Sequence, residues 1–133
     1  MSKRKSVASG SPFESIAGFC RAVQIGNTIA VAGTAPLDPD GKTVAPGDPA
    51  AQARRCFEIS AQALNELGAS LEDVIRTRVF LTRIDDWEAV CAVHGEFFRD
   101  IRPVCTMLQV STLIDPEWLV ETEMDALLPS QDH

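Results

Sequence analysis

Two segments far apart in the chain alternate in character with a period of two, and their charges have opposite sign. Residues 74–81 set Ile75, Thr77, Val79 and Leu81 against Val74, Arg76, Arg78 and Phe80, and residues 118–128 bring Glu121, Glu123 and Asp125 onto one side. Successive side chains of a strand point to opposite faces, so both segments predict strands with one charged face. If the two are neighbours in one sheet, Arg76 and Arg78 are natural partners for the acids, at a few tenths of a kcal/mol per pair. The plainer reading, that the row simply faces water, is favoured for Asp125 but not for Glu121.

Around these strands the chain predicts two helices and a hairpin. Residues 21–25 and 28–33 are β-prone runs split by Gly26-Asn27, where glycine supplies the positive φ of a tight turn. Residues 35–49 hold four prolines and two glycines and read as a surface loop. Asp48 and Pro49 then form a helix start, and Cys56, Ile59, Ala63 and Leu67 recur at helical spacing over residues 49–67. Ser70 and Asp73 form a capping box before the arginine-bearing strand. Asp85 or Asp86 is placed to cap a second helix with Trp87, Val90, His94 and Phe97 on its inner stripe, widened by Val93 and Phe98. Pro103 excludes helix from Arg102, and residues 104–112 alternate as a strand. The order ββαβαββ predicts an α+β domain, one sheet with two helices on one face. The other face, with Met107, Leu108 and Val110 among charges, is too apolar to stay wet and predicts burial against further copies of the chain.

A chain of 133 residues is one domain, large enough to need neither disulfide nor structural metal. Residues 1–13 read as a flexible arm, 14–128 as the domain and 129–133 as a tail. A net charge of −7 argues against phosphate-backbone contact, so no nucleic-acid partner is expected. No apolar run approaches the roughly 20 residues of a membrane helix, and residues 1–10 lack the apolar stretch of a secretory signal. Cys20, Cys56, Cys91 and Cys105 are widely spaced, so reduced thiols in a cytoplasmic protein are the expectation.

The runs Gln24-Ile-Gly-Asn-Thr-Ile-Ala-Val-Ala-Gly-Thr-Ala-Pro36, Ala51-Gln-Ala-Arg54, residues 74–82 followed by Asp85-Asp-Trp87, and Leu119-Val-Glu-Thr-Glu123 together resemble the RidA/YjgF (L-PSP) family over residues 14–128. The resemblance implies a chorismate-mutase-like subunit, a homotrimer whose sheets form a central barrel, and a small-molecule site in the clefts between subunits, with no cofactor. It also implies hydrolysis of reactive imino acids and enamines, in which an arginine grips the substrate carboxylate and an acid positions the attacking water.

The family's Pro-Ala-Arg-Ser/Thr motif falls on Pro103-Val104-Cys105-Thr106, so its arginine is Cys105 here. Its pocket tyrosine falls on Phe19, and an asparagine early in the second helix falls on Cys91. Gly33 and Glu121 are retained as the pocket glycine and the acid. The resemblance therefore implies Glu121 and Cys105 as candidate catalytic positions, and Phe19, Gly33, Cys91, Cys105 and Arg102 as candidate ligand contacts.

With the arginine gone, a small carboxylate would meet no cation, and ordinary deamination is expected to be weak or absent. The alternative is a deaminase that uses Glu121 and a repositioned Arg102. The ribonuclease or translation-inhibitor label attached to parts of the family suits an acidic chain poorly. Cys91 and His94, three apart on one helix face, could ligate zinc, or His94 could activate Cys105. His94 on an apolar stripe more simply predicts a hydrogen-bonded core residue, and no metal is assigned.

Overall fold

The computed structural model describes residues 3–129. Nine elements follow one another: β1 (Arg4–Val7), α1 (Glu14–Ala17), β2 (Ala22–Ile25), β3 (Thr28–Thr34), α2 (Pro49–Glu66), β4 (Val74–Leu81), α3 (Trp87–Phe98), β5 (Val104–Gln109) and β6 (Val120–Leu127). The strands form a single six-stranded sheet in the order β1-β2-β3-β6-β4-β5. All neighbours are antiparallel except β4 and β5, which run parallel and are joined across the sheet by α3. This is the α+β arrangement that the element pattern predicts. None of the helices described is long and apolar enough to cross a membrane.

Local chemistry accounts for the element ends. Gly26 supplies a φ of 62° between β2 and β3. The Asp48 carboxylate accepts from the Ala51 N–H at 3.1 Å, with Pro49 in the first turn where no donor is needed. Ser70 and Asp73 close the capping box of a short turn leading into β4. At α3 the expectation fails: neither Asp85 nor Asp86 caps with its side chain. A 3-10 turn over Ile84–Asp86 feeds the helix instead, and Asp86 is turned inward.

The core lies between the helices and one face of the sheet. Ile29 and Val31 from β3, Val79 and Leu81 from β4, and Val120 and Met124 from β6 meet Phe57 and Leu64 of α2 and Val90, Val93 and Phe98 of α3. The inner stripe of α2 is rotated from the expected one: Phe57, Ser60 and Leu64 are buried, while Ile59 and Leu67 are only half-buried. Phe57 meets Phe97 at a ring separation of 5.3 Å and Phe98 edge-on at 5.7 Å, contacts that add to its area burial. Gln52, fully buried, ties the loop and the start of β6 to α2. Its amide nitrogen donates to the carbonyls of Val44, Ala45 and Glu117, and its oxygen accepts from Leu119 N–H at 2.8 Å.

Four placements differ from expectation. The segment read as a flexible arm contains β1, which pairs with β2 from Arg4↔Ile25 to Val7↔Ala22 and buries Val7. Its Arg4 and Lys5 are exposed on an edge strand, where cations discourage further pairing, so composition alone made it look unstructured. Ile75 points outward because a bulge between Val74 and Arg76 shifts the alternation by one, leaving Val74 and Thr77 buried. Trp87, at the start of α3, is 48% exposed rather than part of the stripe. Met107 lies opposite Val79 and packs on the core, whereas Leu108, opposite Phe80, faces out. The proposed tail beyond residue 129 lies outside the described residues.

The outward face carries the charges as the alternation requires. Arg78 stands opposite Glu123 and pairs with it at 3.2 Å, and Arg76 stands opposite Asp125 at 3.6 Å. Arg78 also reaches Asp125 at 3.5 Å, so Asp125 is a paired group and not merely a wet one. These pairs are more than a third exposed and each contributes about 0–1 kcal/mol.

Candidate active site

The third acid of the row has no such partner. The residue opposite Glu121 on β4 is Phe80, and no ion pair or hydrogen bond to the Glu121 carboxyl forms among the described residues. Its other neighbour is β3, where the ladder is irregular between Val31 and Thr34. There Gly33 lies so close that a β-carbon on it would run into Glu121 Oε2. Glycine is needed at this point for space, since its own φ is unexceptional. Burial pushes the Glu121 pKa above the ordinary carboxylate value. Glu123 pushes the same way, and Arg21 pulls it back in part.

Arg21 is the residue that sequence reasoning missed. Its backbone is fixed by bonds from its own N–H to Val7 O and from Ala32 N–H to its carbonyl, both 2.8 Å. Its side chain reaches across to β3, where Nη1 donates to Gly33 O at 3.2 Å and to Thr34 Oγ1 at 3.0 Å. Within the protomer a guanidinium therefore lies beside Gly33, which the motif comparison did not anticipate. Cys105 lacks a guanidinium, but a different strand brings one beside Gly33 and Glu121. Arg21 was legible in part: it is one residue before the inward-facing Ala22, so alternation places it outward. The irregularity that carries Gly33 and Thr34 under it was not.

The remaining candidates are dispersed over the protomer. Phe19 follows the Gly18 cap of α1 and is 42% exposed. Cys105 lies on the edge strand β5 opposite Thr77, whose side chain points to the helices. Glu121 points the other way, with β4 between, so one protomer does not bring Cys105 and Glu121 to the same surface. Cys91 is exposed on α3. Arg102 adopts a left-handed φ of 59° and turns its Nε back to Arg99 O at 3.1 Å, at the edge of a shallow cleft of about 290 Å³ shared with His94, Arg99 and Pro103. It makes no contact with Glu121 or Gly33, so the repositioning that would let it replace the family arginine does not occur within the protomer.

His94 is half-buried and hydrogen-bonded at the margin of the core. Its Nε2 is 2.8 Å from Thr77 Oγ1, and its ring lies edge-on to Phe57 and 4.7 Å from Phe98. Burial lowers its pKa, the reverse of what a cation activating a thiol requires.

Comparison with known proteins agrees with this architecture. The family model described as Endoribonuclease L-PSP matches residues 10–128. The crystal structure of Rv2704 from Mycobacterium tuberculosis, described as a member of the YjgF/YER057c/UK114 family, superposes with a TM-score of 0.85 at 44% identity, covering 95% of this chain and 100% of that one. Among curated sequences, the protein SCO2049 of Streptomyces coelicolor is 42% identical over 90% of this chain and 89% of its own length. The 3-aminoacrylate deaminase RutC of Acinetobacter baylyi is 35% identical over 80% of this chain and 83% of its own. The sheet order, the crowded glycine beside an acid, and these matches across nearly the whole chain together show that the protein belongs to the RidA/YjgF family, the endoribonuclease L-PSP family of the matching model.

Proposed function

We propose that the protein hydrolyses small reactive enamines or imines in clefts formed where three copies of the chain assemble, with Glu121 handling the proton. The observation that carries this is the unpaired, half-buried Glu121 carboxyl over Gly33, on the face that the helices leave open. A carboxyl whose proton affinity is raised by burial can take up and release a proton nearer to neutral pH than an ordinary one. As water oxygen bonds to the imine carbon, Glu121 accepts the water's proton. It returns that proton to the nitrogen, giving a carbinolamine, and then carries the hydroxyl proton to the same nitrogen, so that the C–N bond breaks, ammonia leaves and a carbonyl replaces the C=N bond. For an enamine, the same carboxyl first gives its proton to the carbon β to the nitrogen and takes one back from the nitrogen, leaving the imine. The resemblance to a named deaminase supports this substrate class.

Assembly is supported by the outward face itself. Val104 and Leu108 of β5 are exposed on it, with Phe80 of β4 next to Leu108, an apolar strip that association with another copy would cover. A second copy would also supply the edge bearing Cys105, which does not reach Glu121 within one chain. The expectation of weak activity rested on a pocket without a cation, and the Arg21 guanidinium beside Gly33 weighs against it.

The test is ammonia release from freshly generated 2-iminobutyrate and from 3-aminoacrylate, alongside sedimentation of the protein at assay concentration. Acceleration of about 100-fold or more over buffer, by a species of three chains, is expected. Release at the buffer rate with both compounds, or activity from a monomer, would contradict the proposal.

A further inference from the structure

We infer that the cleft at the C-terminal end of α3 binds a phosphate monoester of a small metabolite, gripped between Arg99 and Arg102. The cleft, of about 290 Å³, is lined by His94, Gly95, Phe98, Arg99, Arg102 and Pro103. Neither arginine forms an ion pair among the described residues. Arg102 commits its Nε to Arg99 O and leaves both Nη atoms, with four donors, unused. The acids nearest in sequence do not neutralise the pair. Glu96 is held by Arg54 at 2.9 Å, and Asp100 forms no ion pair among the described residues.

Two local costs converge on this cleft. Gly95 stands inside α3, where glycine is less favourable than alanine by about 0.5–1 kcal/mol. A β-carbon there would come to 3.0 Å from Arg99 Nη2, so the missing side chain leaves the guanidinium room to lie back on the helix. Arg102 holds a φ of 59°, a left-handed conformation that costs a residue with a β-carbon about 1–2 kcal/mol and that glycine adopts freely. Neither choice serves the helix or the turn, and capping of the helix end uses only the Arg102 Nε. Both choices bring guanidinium groups to one opening, and strain of this kind collects at ligand clamps.

A phosphate monoester carries a charge of about −1.5 to −2 at neutral pH, which two guanidiniums match and a single carboxylate does not. The negative end of the α3 dipole opposes an anion by up to about 1 kcal/mol, less than one charge-assisted hydrogen bond contributes. His94 adds a further donor. With its Nε2 accepting from the Thr77 hydroxyl, Nδ1 keeps the ring proton, and burial holds the ring neutral. Phe98 and Pro103 give the cleft an apolar wall, and its volume is close to the roughly 300 Å³ at which small-molecule pockets begin, so there is room for an organic body behind the phosphate.

The experiment uses the full chain, labelled for backbone amides and histidine rings, titrated with phenyl phosphate, inorganic phosphate, benzoate and phenol. Saturable shifts at the Gly95, Arg99 and Arg102 amides and at the His94 ring are expected with phenyl phosphate. Inorganic phosphate and benzoate should bind about 10-fold more weakly or worse, and phenol not at all. Arg99→Gln should weaken the binding of phenyl phosphate by about 10- to 100-fold, as expected for a lost charge-assisted pair. Gly95→Ala and Arg102→Gly each relieve a backbone cost, so both should melt no lower than the wild type and still bind about 10-fold more weakly. A purely structural role for these residues predicts the reverse, lower melting with no binding to lose. No saturable binding, inorganic phosphate or benzoate bound as tightly as the monoester, unchanged affinity in the three variants, or shifts centred on Gly33 and Ala32 would overturn the inference.

Discussion

The two faces of β6 are built from adjacent residues yet obey different physics. Toward the helices, Val120, Thr122, Met124 and Ala126 are buried among apolar partners, and the polar groups on that side are small or matched, as with Thr77 and His94. Toward the outside, Glu121, Glu123 and Asp125 stand in a charged row in which two acids are paired and one is not. The period of two separates the residues that hold the fold from those to which the proposed function assigns the chemistry. Substitutions at alternate positions should therefore divide cleanly into losses of stability and losses of function.

The largest effect belongs to the helix face. Phe57→Ala should cost about 3–5 kcal/mol in chemical denaturation, since it empties the junction of α2, α3 and the sheet. A loss below about 1 kcal/mol would mean that the core lies elsewhere. Gln52→Ala should cost about 1–3 kcal/mol by leaving the Leu119 N–H and the Glu117 carbonyl without buried partners. Unfolding curves that match the wild type would contradict the role given to this side chain.

His94 predicts a smaller, pH-dependent term. Its folded pKa is lowered from 6.5, so the unfolded chain takes up the proton first as pH falls. The stability it contributes is present above the unfolded value and is lost as pH falls through the lowered folded one. Melting temperature recorded from pH 8 downward should show this loss in the wild type and a shallower slope in His94→Gln. The smallest effect belongs to the outward face: Arg78→Ala should change protomer stability by about 0–1 kcal/mol. A drop as large as that for Phe57→Ala would erase the distinction between the faces.

The alternation of β4 and β6 was legible because it is a local property of each strand, and so were the cap at Asp48 and the turn at Gly26. Features that depend on two strands meeting were not. The bulge that turns Ile75 outward, and the irregular register that sets Gly33 under Glu121 and Arg21, are properties of pairing and leave no mark in either strand alone. Composition misled at β1, where a basic segment served as an edge strand. Three acids stand near two arginines, and the sequence reading favoured Asp125 as the one left to water; the register instead pairs Asp125 and sets Glu121 opposite Phe80. The family resemblance directed attention to Cys105, whereas the guanidinium beside Gly33 comes from Arg21, a residue outside the quoted motifs.

Steady-state hydrolysis of 3-aminoacrylate by the wild type and by Glu121→Gln, with both proteins checked for equal melting, addresses the central claim. A carboxamide of the same shape should fold normally and lower kcat by about 100-fold or more. Turnover within a few-fold of the wild type would show that the proton is handled by another group.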